Sequence, residues 1–212
     1  MKNYAANAIL TKARAKYGKR DDTFSQRDYS DLIKLARAVG EDFYEFILLE
    51  KEMNKKLKET KSNYTEIETQ LKKDLYEKLF EIISKLPKNE QKELGDLFKL
   101  KIETENIARV YRNKKFYKEN IELFPYRRYL KRQQFQSLLD ARNDSEVVDL
   151  LKSTLYEKFF AEIDYYTIDE LLKKIFIRNV QRKMHTSPYP SVVMYCCITL
   201  FEYEEKNKLL CI

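Results

Sequence analysis

Apolar residues recur along most of this chain at steps of three and four, and seldom at steps of two. The clearest stripe is Leu71, Leu75, Leu79, Ile82, Ile83 and Leu86, with Glu and Lys filling the opposite face. Such spacing lines one side of a helix with apolar side chains and predicts an amphipathic helix. Pro87 should stop it, because proline lacks an N–H and its ring clashes with the preceding turn. A second long helix is predicted from Asn89 to Phe116 through Leu94, Leu97, Phe98, Ile102, Ile107 and Val110.

The same rule reads the flanks. Tyr4, Ala5, Ala8 and Ile9 fit one helix face within residues 2–17, and Gly18 to Thr23 looks like a break. Ser25 or Asp28 can cap a helix holding Tyr29, Leu32, Ile33, Ala36 and Val39, which Gly40 should end as the residue just past its C-terminus. The following helix carries Phe43, Phe46, Ile47 and Leu49 and continues into the charged run Glu50 to Lys61. Pro125 interrupts the pattern ahead of a basic aromatic linker, Tyr126 to Arg132. Helical spacing then resumes with Phe135, Leu138, Leu139 and Ala141, and Asp144 or Ser145 can cap a helix holding Val147, Val148, Leu150 and Leu151. Leu171, Leu172, Ile175 and Phe176 mark a helix over Ile168 to Met184. Ser187-Pro188-Tyr189-Pro190 forms a stiff connector, with Pro190 suited to the first turn of a final helix from Ser191 to Leu210. Val192–Thr199 is rich in β-branched residues, but its length and flanks favour a buried helix, and the chain has no Asn-Gly or Asp-Gly hairpin turn. The predicted fold class is all-α, built of long amphipathic helices.

Composition sharpens this picture. Only three Gly and four Pro among 212 residues leave little material for turns, so few breaks and long elements are expected. The length admits one large domain or two small ones. A net charge of +7 draws a protein toward anionic partners. Yet 41 Lys and Arg are interspersed with 34 Asp and Glu, which is the pattern of a solvated helical surface. Cys196, Cys197 and Cys211 make no disulfide framework, so a reducing, cytoplasmic setting is expected. No secretory leader is legible at the N-terminus. The longest apolar run, Val192 to Phe201, falls short of the roughly 20 residues of a spanning helix. Membrane association is therefore expected only through a partner.

Candidate chemistry is sparse. With three glycines, neither a dinucleotide fingerprint nor a phosphate-binding loop can be written. His185 is the sole histidine, read as a surface-loop residue, and no zinc-ligand spacing is present. Adjacent Cys196 and Cys197 point about 100° apart on a helix and do not converge on one ion. Carboxylate pairs such as Glu103/Glu105 and Glu202/Glu204/Glu205 read as helix surface or inter-repeat hydrogen bonding. No catalytic, cofactor-binding or metal-binding residue is predicted, and no enzyme. The patch that stands out is Tyr126, Arg127, Arg128, Tyr129, Lys131 and Arg132. Arg and Tyr together can stack on bases and bind phosphates, or anchor an acidic protein, or simply form a solvated linker. A basic helical module that binds nucleic acid or protein is the alternative these residues allow.

Two segments echo one another about 100 residues apart, Glu103-x-x-Asn106 and Glu204-x-x-Asn207, each on a long helix. Leu32-Ile33 with Leu138-Leu139, and Phe43/Phe46 with Val148/Leu151, repeat at similar offsets. These echoes suggest two related helical repeats, residues 1–124 and 125–212. A further echo, Leu75-Tyr76-Glu77-Lys78 against Leu155-Tyr156-Glu157-Lys158, is out of register and reads as coincidence.

Several of these segments resemble one family. Glu103-x-x-Asn106, continued as Ile107-Ala108-Arg109-Val110-Tyr111-Arg112-Asn113-Lys114, is similar to the central helix of the C subunits of the V/A-type rotary ATPases. So is the ending Ser187-Pro188-Tyr189-Pro190-Ser191, an apolar helix, then Phe201-Glu202-Tyr203-Glu204-Glu205-Lys206-Asn207. The stretch from Phe135 to Tyr156 resembles its recurring helix pair, and Asn3-Tyr4-Ala5-Ala6-Asn7-Ala8 its opening helix. The resemblance implies an all-helical, funnel-shaped protein of three related domains, the counterpart of the d subunits of the eukaryotic enzymes. It implies a non-catalytic rotor component without cofactors, seating the central shaft on the membrane rotor ring and coupling ATP hydrolysis or synthesis to proton or sodium transport. Its partners would be rotor-ring and central-shaft subunits. Family members are longer, and two repeat-like copies are legible here.

Overall fold

The computed structural model describes residues 11, 33, 34, 36, 37, 39–59, 64–117, 121–160 and 167–210. The expectations for residues 2–32 and for Cys211 lie outside the described residues. Among the described residues the α-helices are α1 (Glu41–Glu59), α2 (Tyr64–Lys85), α3 (Lys88–Arg112), α4 (Arg132–Asp140), α5 (Asp144–Lys152), α6 (Glu157–Phe160), α7 (Ile168–Thr186) and α8 (Pro190–Leu210). A π-helical turn, Asn113–Tyr117, continues α3. The described residues contain no strand, so the all-α expectation holds.

The breaks fall where the chemistry placed them. α2 ends at Lys85 ahead of Leu86-Pro87, and the Pro87 carbonyl then accepts the Gln91 N–H at 2.9 Å, opening α3. Gly40 separates helical Val39 from α1. It donates to the Ala36 carbonyl at 3.3 Å, and its own carbonyl accepts from Tyr44 at 3.0 Å. Its φ lies outside the left-handed region, so the break does not draw on glycine's special freedom. Pro190 is the first residue of α8, where its missing N–H costs nothing. His185 is exposed, but it sits in the last turn of α7 and not in a loop.

The cap of α5 differs from the expectation. Asn143, one residue before both candidates, adopts extended backbone (φ −151°), and its side chain accepts the Glu146 N–H at 2.9 Å. The Glu146 carboxylate accepts the Arg142 N–H at 2.7 Å in return. Asp144 is already helical and stands one position past the cap, so its residue type does not give it the capping role.

The chain divides into two compact units, Met1–Gly95 with Val180–Ile212, and Asp96–Asn179. The boundaries fall inside α3 and inside α7. In the first unit, α1 packs on α2, and Phe43 and Phe46 stack with centroids 6.0 Å apart. Tyr195 of α8 meets Phe46 edge-on at 5.9 Å. Leu75, Leu79, Ile82 and Ile83 of the α2 stripe are buried, as the spacing requires. Ser191 to Ile198 are buried without interruption, which explains why this stretch shows no amphipathic period. Both Cys196 and Cys197 are free, and burial pushes the Cys196 thiol well above the usual range. Two polar links cross this unit: Lys183 Nζ to Glu93 Oε1 at 3.2 Å, and the Ser191 hydroxyl donating to the Glu90 carboxylate.

In the second unit the core joins Ile107 and Val110 of α3, Phe135 and Leu138 of α4, Val147 and Leu151 of α5, Phe160 of α6, and Leu171, Leu172 and Ile175 of α7. Arg112 near the end of α3 grips Asp169 in the first turn of α7 with two nitrogens, the shorter contact being 2.8 Å. The hydrogen bond to Asp169 is the main reason the Arg112 guanidinium holds its proton more firmly than usual. Because Asn143 supplies the cap, Asn143→Ala should lower the unfolding free energy by about 1 kcal/mol, while Ser145→Ala should change it by under about 0.5 kcal/mol. Urea denaturation of the two variants checks the assignment.

Candidate functional site

Glu103 and Asn106 stand three residues apart on α3 and therefore share one face. Both are fully buried, at 0% exposure, although each is strongly polar. An isolated carboxylate there would be very costly, so its partners explain its presence. Glu103 Oε2 accepts the N–H groups of Arg128 at 2.7 Å, Tyr129 at 3.0 Å and Leu130 at 3.1 Å. Oε1 accepts the Tyr129 N–H at 3.1 Å and the Tyr156 hydroxyl at 2.7 Å. Three successive backbone amides thus form a concave nest around an anion that the chain itself supplies. Charge-assisted bonds of this kind are about twice as strong as neutral ones, which offsets the desolvation of the carboxylate.

Asn106 acts on the same segment one step earlier. Its Nδ2 donates to the Phe124 carbonyl at 2.9 Å, and its Oδ1 accepts the Phe124 N–H at 3.1 Å. The side-chain amide so reproduces a two-bond backbone pairing for a residue that lies in no helix or sheet. The Arg109 guanidinium covers the Phe124 ring at 5.0 Å. Together the two side chains pair both backbone groups of Phe124 and the N–H groups of Arg128, Tyr129 and Leu130 in an irregular stretch that makes no helical ladder there.

This geometry redefines the basic aromatic linker. Arg128 Nη2 reaches Asp96 Oδ2 at 3.0 Å, and Tyr129 Oη donates to Asn179 Oδ1 at 3.1 Å, both within the second unit. Tyr129 also meets Tyr156 edge-on at 6.0 Å. Tyr126 and Arg127 are half-buried, while Lys131 and Arg132 are exposed. The Lys131 N–H donates to Gln134 Oε1 at 2.9 Å at the start of α4. The linker's backbone and the side chains of Arg128 and Tyr129 hold the fold, and Lys131 and Arg132 are exposed.

Of the four motif residues, Glu103 and Asn106 are brought together on one segment. Glu204 is half-buried on α8, and the side chain of Asn207 lies outside the described residues. Sequence reasoning missed Tyr156, which is fully buried and supplies the carboxylate's fourth donor. It follows Leu155 in a segment with no marked helical spacing, so no local signal distinguishes it. Among the described residues, no group of three or more His, Cys, Asp or Glu side chains could hold a metal. Both Glu103 oxygens are engaged by protein donors, which makes the group a brace.

Two outcomes follow from the brace. Glu103→Gln keeps the volume but turns an NH2 group toward backbone donors, and should lower the unfolding free energy by about 2 to 3 kcal/mol in urea denaturation. Burial, then the Glu103 charge, pushes the Tyr156 phenol well above its ordinary value of 10.0. The unfolded chain releases that proton near pH 10 while the folded chain retains it. The contribution is therefore complete below about pH 10 and is lost as pH rises beyond it. Tyr156→Phe should be less stable at neutral pH, yet lose less further stability between about pH 9 and 11 than the parent. Thermal midpoints across that range measure the difference.

The comparison with known proteins covers nearly the whole chain. The family model described as ATP synthase (C/AC39) subunit matches residues 6–207. No curated protein and no solved structure matches significantly. The matched span takes in the described helices, the Glu103/Asn106 brace and the linker it holds, and the all-helical fold agrees with the resemblance seen in the sequence. The chain belongs to the family of ATP synthase (C/AC39) subunits and is thereby a component of a V/A-type ATPase complex.

Proposed function

We propose that the protein is a non-catalytic central-stalk subunit that seats the rotary shaft on the membrane rotor ring. In that position it couples ATP hydrolysis or synthesis to proton or sodium movement. The family match over residues 6–207 is the observation that carries this reading. The physical build supports it. A part that transmits torque must resist deformation, and here a buried carboxylate and a buried amide tie an irregular segment of the second unit to a 25-residue helix. Two helical repeats, residues 1–124 and 125–212, would represent part of the family's three-domain funnel.

The partners in this reading are rotor-ring and central-shaft subunits. Among the described residues no helix is long and apolar enough to cross a membrane, so contact with the bilayer would come through those partners, with the protein peripheral on the cytoplasmic side. In this reading the exposed Lys131 and Arg132 of the linker would meet an acidic partner, where exposed charge contributes orientation and on-rate more than affinity. The nucleic-acid alternative draws less support, since Arg128 and Tyr129 of the patch are engaged within their own unit.

A tagged copy recovered from the detergent-solubilised membranes of its own host should bring down ring and shaft subunits in comparable amounts, identified by mass spectrometry. Recovery of soluble proteins alone, or of nothing, would overturn the proposal. Binding to nucleic acid that weakens steeply with salt would instead favour the alternative.

A further inference from the structure

Few large apolar side chains are exposed among the described residues: Leu48, Phe116, Tyr117 and Leu155. Two of them are neighbours in the π-helical turn that ends α3, with Phe116 64% and Tyr117 65% exposed. Their rings meet edge to face with centroids 6.1 Å apart. The wider winding of a π turn alters which residues face outward, and such turns occur frequently at functional sites. Here the turn leaves two consecutive rings in water, while Asn113 beneath them is buried.

The charged residues of the turn itself are two lysines, Lys114 and Lys115. Lys115 Nζ lies 5.5 Å from the Tyr111 ring centre and 5.4 Å from that of Phe116, and 3.4 Å from the Tyr111 hydroxyl. Lys114 Nζ donates to the Leu139 carbonyl at 2.6 Å. Among the described residues neither ammonium is paired with a carboxylate, whereas neighbouring Arg112 is neutralised by Asp169. Lys115 is thus held against aromatic faces and, among the described residues, meets no carboxylate.

We propose that the Asn113–Tyr117 turn is a docking knob for an acidic, partly apolar segment of a partner protein; under the function proposed above, that partner is another subunit of the ATPase complex. Tyr and Phe are favoured anchors at protein interfaces, and side chains already ordered lose less freedom on binding. Lys114 and Lys115, which meet no carboxylate among the described residues, select acidic residues around the apolar contact. An anionic membrane fits less well, because sequence-readable lipid binding relies on clusters of about four to eight cations, and this turn offers two.

The chain contains no Trp, so Phe116→Trp in the full-length protein places a single indole reporter at the knob. A short synthetic peptide alternating glutamate and leucine should shift its emission and bind in a salt-sensitive manner. Adding Lys114→Glu and Lys115→Glu should weaken that binding about tenfold or more, while Lys88→Glu, on an exposed lysine of α3, should leave it unchanged. An equal response to the lysine-leucine counterpart, a response to phosphatidylserine vesicles only, or no response would overturn the knob. Circular dichroism confirms that each variant is folded. The membrane pull-down separates the two proposals: if the parent recovers ring and shaft subunits and the double lysine variant recovers them equally well, the docking inference fails and the stalk reading stands. If the parent recovers neither, the stalk reading fails and the peptide titration still judges the knob.

Discussion

A carboxylate with no solvent exposure, held by three consecutive backbone amides and one phenol, is the interaction on which the second unit depends. Ahead of α4 the chain runs through residues 121–131, which lie in no helix. Backbone N–H and C=O groups buried there need partners, and the lost hydrogen bonds would cost more than the local apolar contacts return. Glu103 and Asn106 meet that demand from one helix face. The same bonds set where α4 begins, since Leu130 is held and Lys131 follows as the residue that opens the helix. Phe135 and Leu138 are thereby delivered to the core in register with Ile107 and Val110.

The rest of the unit is arranged around this joint. Tyr156 reaches the carboxylate only because the turn after α5 folds back to bury it, with Thr154 Oγ1 accepting the Tyr156 N–H at 3.1 Å. Tyr129 packs on Tyr156 and bonds to Asn179, which ties the linker to α7 as well as to α3. Arg112 and Asp169 add a second tie between those two helices. Polar groups in such a network tolerate little displacement, because a donor or acceptor left behind carries its full desolvation cost. That intolerance resists deformation of the joint, while Lys131, Arg132, Phe116 and Tyr117 stay exposed.

The architecture was legible because α-helices write their burial into the sequence at a fixed period. The stripe from Leu71 to Leu86, the stop at Pro87, the long element after it and the Pro190 start all emerge from spacing and from proline's missing donor. Capping was less legible. Asn143, Asp144 and Ser145 are all good caps by residue type, and the choice rests on which backbone turns out of the helix, a matter settled by the packing of α4 against α5. The absence of any phosphate loop or metal spacing, and the family resemblance, could likewise be read from residues alone.

The brace could be read only in part. Glu103-x-x-Asn106 attracted notice as a motif, yet on a charge-rich helix another glutamate looks like surface. Its burial follows from what stands opposite, the amides of residues 128–130 and the hydroxyl of Tyr156, some 25 to 53 positions away. The linker's Arg128 and Tyr129 looked free for a partner for the same reason, since Asp96 and Asn179 are brought to them by the fold. Local periodicity and backbone chemistry act over a few residues, so the sequence by itself determined the helices, their breaks and the family. Hydrogen bonds between distant residues exist only after the chain has closed, so only the tertiary structure decided which polar groups are tied into the fold and which stay exposed.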